Sequence, residues 1–434
     1  MIKSVWNDTV SLPTFPQLKG DTKTDVLIIG GGLAGLLCAY ELQQAGVDYL
    51  LIEADRICGG ISGNTTAKLT SQHGLIYSKL LRQYGAEQAK LYWEAQEQAL
   101  DRYRSLAQSI PCDLEEKDAF VYSTDRPEAI EAELNALEQL EIPAYYEKDL
   151  PLPIPTVGAV CFPHQAQFHP LKFAAGLAAG LNIREGTRAQ AFAGRRVQTN
   201  YGTITAERIV VCTHFPLINK HGAFFLKQYQ HRSYVLALEN APELGGIYLD
   251  ENDKGLSFRN YHGLLFFGGA SHRTGKQGGG WTELSALAKQ CYPSAREKYR
   301  WAAQDCMTLD GLPYIGRYSL GSRGLYVATG FNKWGMTSSM VSALLLRDLL
   351  LDRNNPYVSL FSPSRSILHP QLALNAVEST LNLLTPTAPR CPHMGCALKW
   401  NAQEHSWDCP CHGSRFSQRG ALLDNPSNGD LKKL

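Results

Sequence analysis

Apolar positions recur along the chain with two periods, and where the period changes, the predicted element changes. Residues 25 to 30, "DVLIIG", form an unbroken apolar run, the pattern of a strand buried on both faces of a parallel sheet. In "GGGLAGLLCAYELQQAG" the spacing of Leu36, Leu37, Tyr40 and Leu42 turns helical, and Gly46 offers a helix stop. A second apolar run, "DYLLIEA", follows and ends on Glu53. Between residues 80 and 142 the segments "GAEQAKLYWEAQEQALDRYRSLAQ" and "RPEAIEAELNALEQL" predict long helices, whereas 196 to 211 and 231 to 271 alternate as strands around the turns "TNYGT" and "DENDKG". Residues 324 to 351 predict a strand, a glycine-bearing loop and an amphipathic helix starting near Thr337. "RNNPYVSLFSPSRS" then reads as a linker, and the fold class is α/β.

Composition narrows this only slightly. At 434 residues, two or three domains are expected. A formal net charge of +1 gives no reason to expect nucleic acid or an anionic membrane as partner. No apolar run approaches the roughly 20 residues of a membrane span. The opening "MIKSVWNDTVSLPTFPQL" does not read as a signal peptide, so the cytoplasm is the expected location. Of eleven cysteines, seven are scattered, mostly in apolar company, and most of those are predicted to be inert. The other four crowd into residues 391 to 411.

The first βαβ pattern carries Gly30, Gly32 and Gly35 in G-x-G-x-x-G spacing, with Glu53 18 residues after the third glycine. Gly30 permits the tight turn, Gly32 lets backbone N–H groups approach a pyrophosphate, and Gly35 lets helix and strand pack closely. Glu53 can accept from ribose hydroxyls. The Gly/Ser/Thr-rich stretch after it, "DRICGGISGNTTAKLTSQHG", suits a cofactor that extends past its diphosphate. The helix near Thr337 presents an N-terminus to the pyrimidine edge of a flavin.

These motifs, together with "TGFNKWGMT" (329 to 337), "GTITAERIVVCTHF" and "DGLPYIGR", resemble the FAD oxidoreductases of the D-amino-acid oxidase, glycine oxidase and sarcosine oxidase family over about residues 20 to 355. The resemblance implies FAD held by Gly30, Gly32, Gly35, Glu53, Ala54, Thr65, Thr66, Gly330, Gly335, Met336 and Thr337. It also implies two interleaved parts: a Rossmann-like FAD-binding part (about 20–80, 155–215 and 300–355) and an antiparallel-sheet substrate part (about 80–155 and 216–300). Expected catalytic or substrate groups are Arg232, Tyr234, His272, Lys333 and Trp334, with Arg259 and Arg273 as further carboxylate partners, although a strand arginine is more often a solvated or ion-paired one. His164-x4-His169 is similar to a mononuclear-iron motif, but Cys161 stands where an acid is required, so that reading fails.

Past a linker at about 356–385, the stretch "RCPHMGCALKWNAQEHSWDCPCHGSRF" supplies Cys391-x-His393 and Cys409-x-x-His412. Two cysteines with two histidines suit tetrahedral zinc, yet each short loop here offers one ligand of each kind, which suits a [2Fe–2S] cluster with mixed ligation. "CPHMGC" and "CPCHGS" resemble Rieske proteins. The resemblance implies Cys391, His393, Cys409 and His412 as iron ligands, a disulfide between Cys396 and Cys411, and a small β lobe over 386–434. It also places Ser414 as a hydrogen-bond donor to cluster sulfur and Phe416 where high-potential relatives carry tyrosine. That absence lowers the expected potential below the top of the range of about −150 to +300 mV. The base sandwich of such lobes is short here, because "HPQLALNAVESTLNLLTPTAPR" runs almost directly into Cys391.

Together these imply a flavoenzyme oxidising an amine or amino acid by hydride transfer, with electrons relayed singly through the cluster to an electron-carrier protein. The alternatives are an O2-using oxidase with a structural Rieske lobe, or a redox sensor without enzymatic turnover.

Overall fold

The protein is represented by a computed structural model that describes residues 2–218, 221–252, 254–387 and 389–431. Its first sheet runs in the order Tyr314–Arg317, Leu325–Thr329, Thr203–Val211, Thr22–Ile29, Tyr49–Ile52, Ile183–Arg184. All pairings along it are parallel except the first. Val26 to Ile29 lie in the middle of it and are buried throughout, as a two-sided parallel strand requires. The helices Leu33–Gln44 and Gly335–Leu350 pack against each other. The second of them begins two residues earlier than the sequence indicates. It is buried from Met336 through Leu346 rather than amphipathic, because the helices Leu33–Gln44 and Tyr77–Ala107 both pack on it.

The second sheet has nine strands, antiparallel except for the parallel pair Glu115–Ser123 and Ile247–Asp250. Gly158–Gln167 and Arg296–Thr308 belong to this sheet, whereas the sequence expectation grouped 155–215 and 300–355 with the FAD-binding part. Their apolar alternation fits either sheet, and only pairing decides. The helix Tyr77–Ala107 breaks at Gly85 (φ 81°), the residue from which a helix was expected.

Of the stretch 356–385 expected as linker, residues Pro370–Leu384 form a helix. The third sheet follows, four short antiparallel strands at Lys399–Asn401, Ser406–Asp408, Arg415–Ser417 and Leu422–Asp424. Among the described residues no helix is long and apolar enough to cross a membrane.

Candidate functional site

A cavity of about 1030 Å³ separates the first two sheets. One end is lined by Gly30, Gly32, Glu53, Ala54, Thr65 and Thr66. Gly30 has φ +109°, and a Cβ there would stand 2.5 Å from the Cys212 carbonyl oxygen. A Cβ on Gly35 would stand 1.9 Å from the Gly30 oxygen, so this glycine packs helix on strand from behind the cavity wall. Gly32 opens onto the cavity and caps the helix with no side chain, which leaves backbone donors at its N-terminus. The Glu53 carboxylate accepts from Gly31 N (2.6 Å) and Asp55 N (2.9 Å), and burial raises its pKa. A side-chain-free cradle, a helix N-terminus with Leu33 N on Ser62 Oγ (3.0 Å) and a carboxylate at the strand end fit the diphosphate and ribose of FAD.

Lys333, Trp334, Gly335 and Met336 line the other end. Their loop is tightly wound: Gly330, Asn332 and Lys333 all have positive φ. Asn332 pins it by accepting from Thr308 N (2.7 Å) and donating to Gly330 O (2.7 Å). Gly330 and Thr337 stand behind the wall. Trp334 stacks on His73, 4.7 Å between centroids. His73, which the sequence did not single out, is held by Tyr92 (2.6 Å), Thr70 O (2.8 Å) and Thr337 Oγ1 (3.1 Å). Burial pushes it down to about 3, so it is a neutral ring at working pH. Lys68 was missed too. It lines the cavity, and desolvation, reinforced by Arg259 and Lys333, pushes its ammonium down to about 7. The facing wall carries Tyr234, Ser233, Ser271 and the half-buried Asp305, whose pKa desolvation raises. Cys306 is there as well, its thiol pushed up to about 12 by burial. That makes it a poor nucleophile.

Arg232 and His272 do not reach this cavity, which corrects their expected roles. Arg232 is buried against Glu404 of the third sheet, Nε to Oε1 2.7 Å, and its charge is spent there. His272 stacks on Tyr234 with Nδ1 toward Ala270 O (3.3 Å). Arg259 holds the carbonyls of Thr66 (2.6 Å) and Ala67 (2.8 Å), and Arg273 donates to Pro410 O (3.2 Å) and Asn375 Oδ1 (3.0 Å). His169 caps the helix Pro170–Ala178, while His164 is exposed, so that pair forms no iron site.

In the third sheet two loops repeat one hydrogen-bond pattern. Cys391 N donates to Cys396 O and Gly395 N to Cys391 O; Cys409 N donates to Ser414 O and Gly413 N to Cys409 O, all at 2.9 Å. The loops bring the sulfurs of Cys396, Cys409 and Cys411 within 4.8 Å of one another, and Cys391 pairs with Cys409. The rings of His393 and His412 meet edge to face, 5.0 Å apart. His412 is buried with neither ring nitrogen meeting a hydrogen-bond partner at normal geometry. Buried thiols beside such imidazole nitrogens fit a cluster with mixed sulfur and nitrogen ligation. Ser414 pairs with Cys391. Cys396 and Cys411 are both free thiols.

The histidine side of these loops faces the flavin-fold body. Phe215 lies 6.2 Å from each ring and Phe225 6.3 Å from His412. Gln304 donates to Gly413 O (2.9 Å), Asn425 to Phe215 O (3.0 Å) and Asn428 to Ala189 O (2.8 Å). Leu422 to Asn425 line the cavity itself, beside His214, with Asn425 also donating to the Thr213 carbonyl.

A family model described as FAD dependent oxidoreductase matches residues 25–349, and one described as Rieske [2Fe-2S] domain matches 372–434. The chain is 34% identical to the Rieske 2Fe-2S iron-sulfur protein YhfW of Bacillus subtilis (strain 168), over 100% of this chain and 97% of that protein. It is 24% identical to gamma-glutamylputrescine oxidoreductase of Escherichia coli (strain K12), over 85% and 94% of the two chains. Glycine oxidase from Geobacillus kaustophilus shares the fold, with a TM-score of 0.68 at 23% identity, covering 80% of this chain and 99% of that one. The chain thus belongs to the FAD dependent oxidoreductase family and carries a Rieske [2Fe–2S] domain behind the flavin fold.

Proposed function

We propose that the protein is a dehydrogenase that oxidises an amine or amino acid at the cavity and passes the electrons singly to a carrier protein. One observation carries the reading: Phe215 contacts both candidate ligand histidines, while the adjoining His214 lines the cavity, so two redox sites share a wall. FAD held by the glycine cradle would supply hydride acceptance, and a [2Fe–2S] cluster held by the lobe would supply one-electron transfer. Cys391, Cys409, His393 and His412 are the proposed cluster ligands, with the free thiols of Cys396 and Cys411 beside them rather than the disulfide the resemblance implies.

The chain's own residues have distinct tasks. Lys333 offers charge to a substrate carboxylate, and Asp305 faces the substrate nitrogen. As neutral amine, Lys68 Nζ accepts the proton that a substrate ammonium must lose before its C–H bond can yield hydride. Trp334, held flat by His73, and the segment Leu422–Asn425 keep water out of the cavity. An oxidase in which the lobe acts only as cavity wall is favoured by that same segment. Anaerobic addition of amines and amino acids, followed by EPR, decides between them. The expected result is a reduced Rieske signal that grows as flavin absorbance bleaches. Bleaching without that signal, and peroxide in air, would establish the oxidase. If no amine bleaches the flavin, a sensor is left.

A further inference from the structure

The helix Pro370–Leu384 is inside out. Its buried positions are Asn375 and Asn382, only 2% and 5% exposed. Both are tied down: Asn375 accepts from Arg273 and donates to Leu226 O (3.3 Å), and Asn382 O accepts from Ala397 N (3.0 Å). Glu378 on the same side pairs with Lys276 (2.6 Å). The opposite face carries Leu374, Val377, Leu381 and Leu384, each 58% to 75% exposed. No exposed residue between 373 and 384 is charged. An ordinary surface helix shows the reverse arrangement.

We propose that this face pairs with the same face of a second copy of the chain, making the protein a two-fold dimer. Leu374, Val377, Leu381 and Leu384 fall at steps of three, four and three, the heptad seam along which two helices interlock. A two-fold contact is self-complementary, so an uncharged apolar stripe meets an uncharged apolar stripe. With Leu383, the stripe exposes on the order of 500 Å², at the upper part of what monomers leave uncovered. Two copies bury about 1,000 Å² between them, the size at which specific interfaces begin. A membrane-surface helix needs a basic flank in water, and here the polar flank is turned inward and amide-rich. A transient carrier docks through charge and leaves the face wet between encounters, whereas a permanent copy does not. The seam abuts the first cluster loop: Arg390 donates to Leu383 O (3.2 Å), Thr385 O and Gly395 O (both 2.6 Å), and the adjacent Met394 is exposed.

The test is sedimentation velocity on the full chain with flavin and cluster bound, at micromolar concentration. The wild type is expected to run as a dimer, and the variant Leu374→Glu/Leu381→Glu as a monomer with unchanged flavin and cluster absorbance. Its dimer dissociation constant should rise about 100-fold or more. Mixing it with Leu374→Lys/Leu381→Lys should restore dimers. A monomeric wild type, or a dimer indifferent to both substitutions, overturns the proposal. So does a monomer that co-sediments with phosphatidylcholine/phosphatidylglycerol vesicles.

Discussion

Phe416 is fully buried among the four cysteines of the Rieske lobe and brings no hydroxyl to them. Ser414 is the side-chain donor at Cys391. Restoring a second donor with Phe416→Tyr should raise the cluster potential by about 50 mV, one hydrogen bond's worth on a one-electron couple, and Ser414→Ala should lower it. EPR-monitored titration reads both. Lys68 sets a pH dependence. Its folded pKa of about 7 lies below the ordinary 10.5, so the neutral amine gains as pH rises through about 7. Substrate-driven flavin bleaching should therefore quicken across that range, and Lys68→Met should flatten the profile in stopped-flow. Legibility at this scale followed the range of the constraint. Gly35 answers to the Gly30 carbonyl and Glu53 to Gly31 N, both inside one βαβ unit and both readable. Gly30 was readable from its motif, although the backbone that crowds it is Cys212, far along the chain. Arg232 answers to Glu404, 172 residues on, and nothing in "QHRSYVLAL" marks that partner. His73 and Lys68 lie in a quoted loop but show their roles only once strand pairing turns them to the cavity.

The lobe's short strands hold to the flavin body through a buried charge network. Glu404 takes Arg232 on one side and Arg415 Nη2 (2.9 Å) on the other, with Tyr234 OH at 3.1 Å. Arg415 continues to Asp408 (3.0 Å) and Asp424 (2.9 Å). These arginines hold the Glu404 carboxyl down at about 2, against an ordinary 4.5. That depression corresponds to about 3 kcal/mol, present above pH 4.5 and lost as pH falls toward 2. Glu404→Gln leaves Arg232 buried with an incomplete partner and should cost roughly 3–5 kcal/mol of docking stability. Loss of cluster absorbance on heating, at lower temperature than flavin release, measures it. The lobe contributes four short strands of its own. Its seat, the strands Gln228–Glu239 and Leu264–Arg273 of the flavin body, was not legible, because no local pattern announces a lobe's support on a distant sheet.

For the molecule as a whole, the interleaving of two parts and a separate cluster lobe was legible through the resemblances carried by the glycine and Cys/His motifs, not from periodicity. The sharing of one cavity was not, since it depends on where Leu422–Asn425 comes to rest. Deleting residues 421–434 should open the flavin end to solvent: iodide should quench flavin fluorescence severalfold better, while the glycine cradle still retains FAD.

The burial of His412 against Phe215 and Phe225 also makes its side of the loops the harder one to load with metal. On the seated lobe His393, of the two, keeps part of its surface open, so a scaffold delivering iron and sulfide would reach the loops past His393, or before docking.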